Sequence, residues 1–324
     1  MRFTRQAQNS MTSHSILLPT TNSHLNDGCE YREQLGTDAD GRTVLSYLSR
    51  RYCHSSPAEW AARIAAGHVL IDSQPAHSES VLRRGSELVW QRPPWIEPDA
   101  PRSFTVLYED EDVLAVAKPA GLPTLPGANF LKTTLLYLVR AYAPDAAPLH
   151  RLGRWTSGLV LCARNHTARM ELMRQWSSKK VGKRYRALAN GLPAFDETTV
   201  SAPIGPVPHA LLGSLHAATP NGRPSSSQVI VLERYVDSFL CDVRIATGRP
   251  HQIRIHLAAA GHPLKGDPLY GAGGLPAPDT RALPGDPGYH LHSAELSFLH
   301  PGTGRMVVIQ CEPPSLLRLS TEEN

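Results

Sequence analysis

An α+β fold with a mixed or antiparallel sheet is predicted, on three observations. Segments with strand patterning outnumber helical ones. They do not alternate one for one with helices, as an all-parallel sheet requires. The 324 residues also hold 28 prolines and 24 glycines, which places many turns between short elements. Hydrophobic residues make up 41% and charged residues 19%. That is enough apolar material for a packed core, and it excludes global disorder. The length allows two domains. No apolar run reaches the roughly 18 residues of a spanning helix, so no membrane is expected as a partner. Cys29, Cys53, Cys162, Cys241 and Cys311 show no C-x-x-C spacing. Neither a zinc knuckle nor a thioredoxin motif is present, and each thiol reads as a small buried apolar group. A reducing, cytoplasmic setting and a monomer are expected.

The elements follow in order. Residues 1–41 read as a disordered tail: Arg2 and Arg5 stand among Ser, Thr and Asn, and the first acid is Asp27. Residues 42–92 form a compact unit. Thr43 to Tyr52 places Val44, Leu45 and Leu48 on one helical face. Ser56-Pro57 with Glu59 opens a second helix, whose buried stripe carries Trp60 and Ile64. His68 to Asp72 and Glu87 to Gln91 alternate as strands. With Arg50, Arg51, Arg63, Arg83 and Arg84 distributed among them, this unit resembles an S4-type RNA-binding domain. Residues 93–103 hold four prolines and no periodicity, the composition of a stiff linker.

A larger domain spans 104–316, with a short tail at 317–324. Strands are expected at 104–110, 112–117, 159–163, 183–190, 229–232 and 240–246. Helices are expected at 133–142, at 167–177, and from a turn at Arg249 through Ala260. Ile253, Leu257 and Ala260 share one side of the last.

Charge is unevenly placed. The chain has 33 Lys and Arg against 29 acids. Residues 151–190 alone hold ten basic residues and one acid, Glu171. The densest part is Lys179 to Arg186 (KKVGKRYR), which includes Lys179, Lys180 and Lys183. A phosphate backbone is attracted to such a segment; a solvated helix face is the plainer alternative.

Three stretches depart from what folding alone asks for: LHRLGRWTSG (149–158), KRYRALANG (183–191) and ATGRPHQIRIHLAAAGHPLKGDPLYG (246–271). The first contains His150, Arg151 and Arg154. On the second, Tyr185 shares a face with Lys183. The third gathers Arg249, His251, Gln252, Arg254 and His256, and on a helix His251 and Arg254 share a face. A metal site, a hydrolase site and an anion pocket all remain open on composition. The histidine spacing, however, is not H-E-x-x-H, and Ser157 does not sit in G-x-S-x-G. No phosphate-binding glycine loop indicates a nucleotide cofactor. Arginines, a tyrosine and turn glycines suit an anionic ligand that bears a base.

Taken in order with LYEDEDVLAVAKPAGLPTLPG (107–127), these stretches resemble the RluA-type family of RNA pseudouridine synthases over about residues 104–312. The resemblance implies a mixed sheet with an RNA cleft across it. It also implies isomerisation of uridine in structured rRNA or tRNA, without cofactor or metal. Tyr185 carries over as the residue that stacks on the target base, and Arg254 as the partner of the catalytic acid. Arg249, His251 and Gln252 shape the turn before Arg254. His150, Arg151, Arg154, Lys179, Lys180 and Lys183 are expected to bind RNA together with that turn.

The family motif places its essential aspartate at the position of Gly153. Glycine can serve neither as nucleophile nor as base. Two readings follow: an active isomerase using another carboxylate, or an RNA-binding homologue without catalysis. Candidates for the displaced acid are Asp145, Asp242, Asp267 and Glu295, with Asp267 ranked low. Arg254 is expected to lack its family partner.

Overall fold

The structure, a computed structural model, describes residues 14–17, 25–209 and 211–322. Its contacts divide the chain into two units. Strand β1, His14–Leu17, belongs to the larger one, and described residues 25–98 make up the smaller.

The smaller unit runs β2 (Cys29–Gln34), α1 (Val44–Arg51), α2 (Pro57–Ala65), β3 (Val69–Ile71), β4 (Gln74–Pro75) and β5 (Glu87–Arg92). Its sheet has the order β2-β5-β3-β4. Thr43 caps α1 by accepting from the Ser46 backbone. At α2, Ser56 and Glu59 form a reciprocal capping box, and Pro57 sits where no helical N–H is needed. Val44, Tyr47, Leu48, Trp60 and Ile64 close one core with Val69 and Leu88. The helices thus lie where the periodicity puts them. The unit nevertheless begins earlier than residue 42. Strand β2 falls inside the segment read as a tail, and Leu35 and Ala39 are buried. CEYREQ alternates charge with only one large aromatic, so nothing but its pairing with β5 makes it a strand. Residues 1–13 and 18–24 of the expected tail lie outside the described residues.

The larger unit continues with β6 (Ser103–Glu109), β7 (Val113–Lys118), α3 (Leu135–Tyr142), β8 (Ala147–Pro148), β9 (Ser157–Ala163), α4 (His166–Ser177) and β10 (Gly182–Asn190). There follow β11 (Glu197–Val200), β12 (Ile204–His209), β13 (Gly213–Ala218), β14 (Ser227–Arg234), β15 (Ser238–Ile245), α5 (Gln252–Ala259), β16 (Leu291–Leu299) and β17 (Met306–Gln310). The main sheet has the order β1-β6-β7-β9-β16-β10-β15-β14-β11. Strand β8 pairs with β9 and β17 with β16, while β12 and β13 form a separate hairpin. The sheet is mixed: β9 and β16 run parallel, and its other pairs are antiparallel.

Burial on both faces explains the continuous apolar runs VLAVA and LVLCA. Leu114, Val116, Val160 and Cys162 face one core, which receives Leu135, Leu138 and Val139 of α3. Val113, Ala115, Leu159 and Leu161 face the other, which receives Ala168 and Leu172 of α4. Cys162, Cys241 and Cys311 are buried as expected, whereas Cys53 is exposed. The C-terminal segment also departs from a tail: Leu317 is buried, and its carbonyl accepts from Arg186 Nη1 at 3.1 Å.

The parallel contact joins the two halves of the sheet. It is two residues long, with Ser157 opposite His292 and Gly158 opposite Ser293. Beyond it β16 diverges, and β17 takes the place beside it. Gly158 has φ +104°, and a Cβ there would run into the Ser293 backbone. Ser157 Oγ bonds His292 Nδ1 at 2.9 Å, and His292 Nε2 reaches the Cys311 carbonyl at 3.1 Å. Replacing Gly158 by Ala imposes both the left-handed backbone cost and a backbone clash. Loss of roughly 3 kcal/mol of stability is expected, read as a lower midpoint in denaturant unfolding.

Candidate active site

Because β9 and β16 start side by side, the loops that enter them converge. The loop 149–156 brings Gly153 and Thr156; the loop before Leu291 brings Tyr289. Strand β10 lies on the other flank of β16, with Tyr185 opposite Ser293. The start of α5 supplies the remaining wall. Together they line an open cavity of about 330 Å³, with Lys183, Tyr185, Arg249, His251 and Arg254 on its walls.

The Gly153 loop is pinned from below. Lys118 is 1% exposed, and its Nζ donates to the carbonyls of Pro119, Leu122 and Arg154. Burial pushes its pKa down to about 7, while the three carbonyls favour the protonated form. Thr124 Oγ1 donates to the Leu152 carbonyl at 3.0 Å and accepts from the Leu152 N–H at 3.2 Å. Both neighbours of Gly153 are therefore fixed to the segment that follows β7.

Arg254 is 2% exposed and has a partner after all. Its Nε and Nη2 donate to the two carboxylate oxygens of Asp267, each at 2.7 Å, and Nη1 donates to the Pro284 carbonyl at 3.0 Å. Asp267 Oδ1 also accepts from the Leu269 and Tyr270 N–H groups. The acid ranked low among the four candidates is thus the one that meets Arg254 in place of a partner at 153. Buried cations demand such compensation. The Asp267 side chain is fully enclosed and does not line the cavity. The other candidates are engaged elsewhere. Asp242 pairs with Arg184 and Arg186, Glu295 pairs with Arg184, and Asp145 borders a different cavity.

The α5 turn is braced internally. His251 caps the helix with φ 54°, held there by its Nδ1 contact of 2.7 Å with Tyr270 Oη. Burial, reinforced by Arg254, lowers its pKa to about 3. The Gln252 amide accepts from Thr247 Oγ1 and the Arg249 N–H, and donates to Ser226 and Ser227. Its amide is committed to the fold. Tyr185 is 8% exposed, and burial pushes its hydroxyl up to about 12. His150 stacks on Trp176 at 4.7 Å and accepts from the Leu161 N–H.

The basic segment is not one face. Lys183 and Tyr185 point into the cavity, while Arg184 and Arg186 point the other way into carboxylates. Arg151 and Lys183 line the cavity; Lys179 and Lys180 are exposed after α4 and do not. Arg154 turns under the loop, donating to the carbonyls of Gly121 and Asp99. Thr156 of the first stretch also lines the cavity, as do Tyr289 and Trp176, which went unread in the sequence. Tyr289 lies in a proline- and glycine-rich stretch with no periodicity, so only the arrival of β16 beside β9 gives it a role.

Comparison with known proteins places this fold and cavity in an RNA-modifying class. Residues 112–259 match the RNA pseudouridylate synthase family. An uncharacterized RNA pseudouridine synthase of Synechocystis is 40% identical over 85% of this chain and 95% of its own. RNA pseudouridine synthase 5 of Arabidopsis thaliana is 37% identical, covering 92% and 96% respectively. The ribosomal large subunit pseudouridine synthase D of Neisseria meningitidis is 34% identical over 86% and 77%. Among solved structures, human RNA pseudouridylate synthase domain containing 1 superposes with a TM-score of 0.52 at 26% identity, over 67% of this chain and 86% of that one. The chain belongs to the RNA pseudouridine synthase family of isomerases.

Two outcomes follow from the site. Asp267→Asn leaves Arg254 buried and uncompensated, so a loss of about 3–5 kcal/mol is expected in chemical denaturation. His251 and His292, held down to about 3 and about 4 by burial, take up their proton more readily in the unfolded chain. Stability is therefore expected to fall as pH drops from about 6.5 toward 4, seen as a falling denaturation midpoint.

Proposed function

We propose that this protein isomerises uridine to pseudouridine in structured rRNA or tRNA of the cytoplasm. The observation that carries the reading is the convergence of the 149–158, 183–191 and 246–271 stretches on one cavity of about 330 Å³. A flipped uridine pays a few kcal/mol of unstacking. Stacking on the Tyr185 ring offsets that cost. Arg151, Lys183 and Arg249 at the walls attract the flanking phosphates, and Lys179 and Lys180 extend the positive surface. His150 and His251 hold the walls in place, and Arg154 supports the loop. The S4-like unit adds a second RNA contact in the same chain, which raises the effective concentration of RNA at the cavity. Relatives named for the ribosomal large subunit favour rRNA.

A second reading is RNA binding without catalysis. It is favoured by one observation: among the described residues, no carboxylate lines the cavity. Tritium release from RNA labelled at uridine C5 separates the two. Release by the wild-type protein is expected. Salt-sensitive RNA binding with no release leaves the second reading standing.

Tyr185→Ala is expected to weaken RNA binding by about 1–3 kcal/mol, and Tyr185→Phe to leave it unchanged. Filter binding at two salt concentrations checks this. Equal affinity for all three proteins removes the stacking role.

A further inference from the structure

We propose that Tyr289 is a catalytic residue, whose hydroxyl takes the place at the cavity wall that a side chain on residue 153 would otherwise occupy. The inference rests on the isomerase reading above and concerns how its chemistry proceeds with glycine at 153.

The geometry is specific. A Cβ added to Gly153 meets Tyr289 Oη at 2.9 Å and Thr156 Oγ1 at 3.3 Å, and, its own chain neighbours aside, no other atom within 4 Å. The rest of the tyrosine ring is therefore clear of position 153, and only the hydroxyl contests the space. The ring lies on the Arg254 guanidinium, 4.2 Å from its centroid. Arg254 is itself locked by Asp267. The phenol is thus held rigidly at 4% exposure while still lining the cavity. Among the described residues its hydrogen bond is to Thr156 Oγ1, at 3.4 Å and so at the long limit. A buried hydroxyl so weakly partnered retains donor capacity for a ligand.

That capacity matches the reaction. When C1′–N1 breaks, its electron pair passes to the uracil, and negative charge develops on the ring. The base then turns, C5 bonds to C1′, the C5 proton leaves to solvent, and N1 takes up a proton. Atoms and charge balance with no further reactant. A fixed phenol O–H beside a guanidinium stabilises the departing uracil as its charge develops. Catalysis by such a donor needs no carboxylate at 153.

Two measurements test this on the full chain. The first is thermal unfolding of wild type, Gly153→Ala, Tyr289→Phe and the double variant. In wild type the added methyl meets the hydroxyl, and a Tm drop of about 2–4 °C is expected. With Phe at 289 the contact is gone, and the same change should be neutral or raise Tm, since alanine restricts the unfolded chain. Additive effects overturn the exchange of space. The second is tritium release under steady-state conditions. Tyr289→Phe should lower kcat about 100-fold and leave KM for RNA unchanged. Unaltered kcat, or a rise in KM alone, overturns the catalytic role. Absence of release by wild type on total cellular RNA overturns the isomerase reading and the catalytic role together, and the stability cycle then still decides whether Tyr289 fills the space beside Gly153.

Discussion

The larger unit hangs on a parallel contact two residues long. Ser157 and Gly158 of β9 lie against His292 and Ser293 of β16, and the left-handed glycine admits the close approach. Everything at the cavity follows from that contact. Two loops far apart in the chain enter neighbouring strands from the same end, so Gly153, Thr156 and Tyr289 share a wall. Tyr185 reaches the same place through the other flank of β16. The Ser157–His292–Cys311 hydrogen bonds hold the contact in register.

The second organising element is the ion pair of Arg254 and Asp267. A guanidinium this deeply buried is tolerable only with a carboxylate and further acceptors around it. Asp267 meets the need with both oxygens, and two backbone N–H groups hold the acid in turn. Arg254 is then free of any demand on position 153. Glycine at that position therefore leaves no buried charge uncompensated, and the cavity wall carries hydroxyls and cations.

Much of the fold was legible because its strands are buried on both faces. VLAVA and LVLCA read as strands without any partner in view, and β7 and β9 are there. Ser56-Pro57 with Glu59 announced α2 through cap chemistry, and the observed capping box uses those atoms. Tyr185 and Arg254 were readable from motif order, and both line the cavity. What escaped was set by partners distant in sequence. Strand β2 is polar and depends on β5; β17 depends on β16. Asp267 was ranked low as a catalytic acid on the family resemblance; it pairs with Arg254 and lies outside the cavity lining, and that pairing depends on a helix packing over a turn that follows it in the chain. Arg154 was read as an RNA-binding cation, yet the carbonyls of Gly121 and Asp99, distant in sequence, accept from its guanidinium. Tyr289 carried no signal at all, since its place at the cavity beside Gly153 depends on a neighbour 136 positions earlier in the chain.

The short parallel contact also bears on how the chain is made. Ser157 and His292 are 135 positions apart, and among the described residues no strand pairing of lower sequence separation joins the two halves of the sheet at that point. Such non-local pairing closes late, because loop entropy must be overcome before the contact rewards it. During synthesis β7, β8 and β9 therefore emerge and pair with one another while the start of β9, at Ser157 and Gly158, stays open until β16 follows. A strand end left open beside a buried apolar run invites pairing with another chain. A translation product that stops short of Leu291 is on this account an aggregation hazard rather than a half-built enzyme, and prompt completion of the chain matters to this fold as much as its final stability.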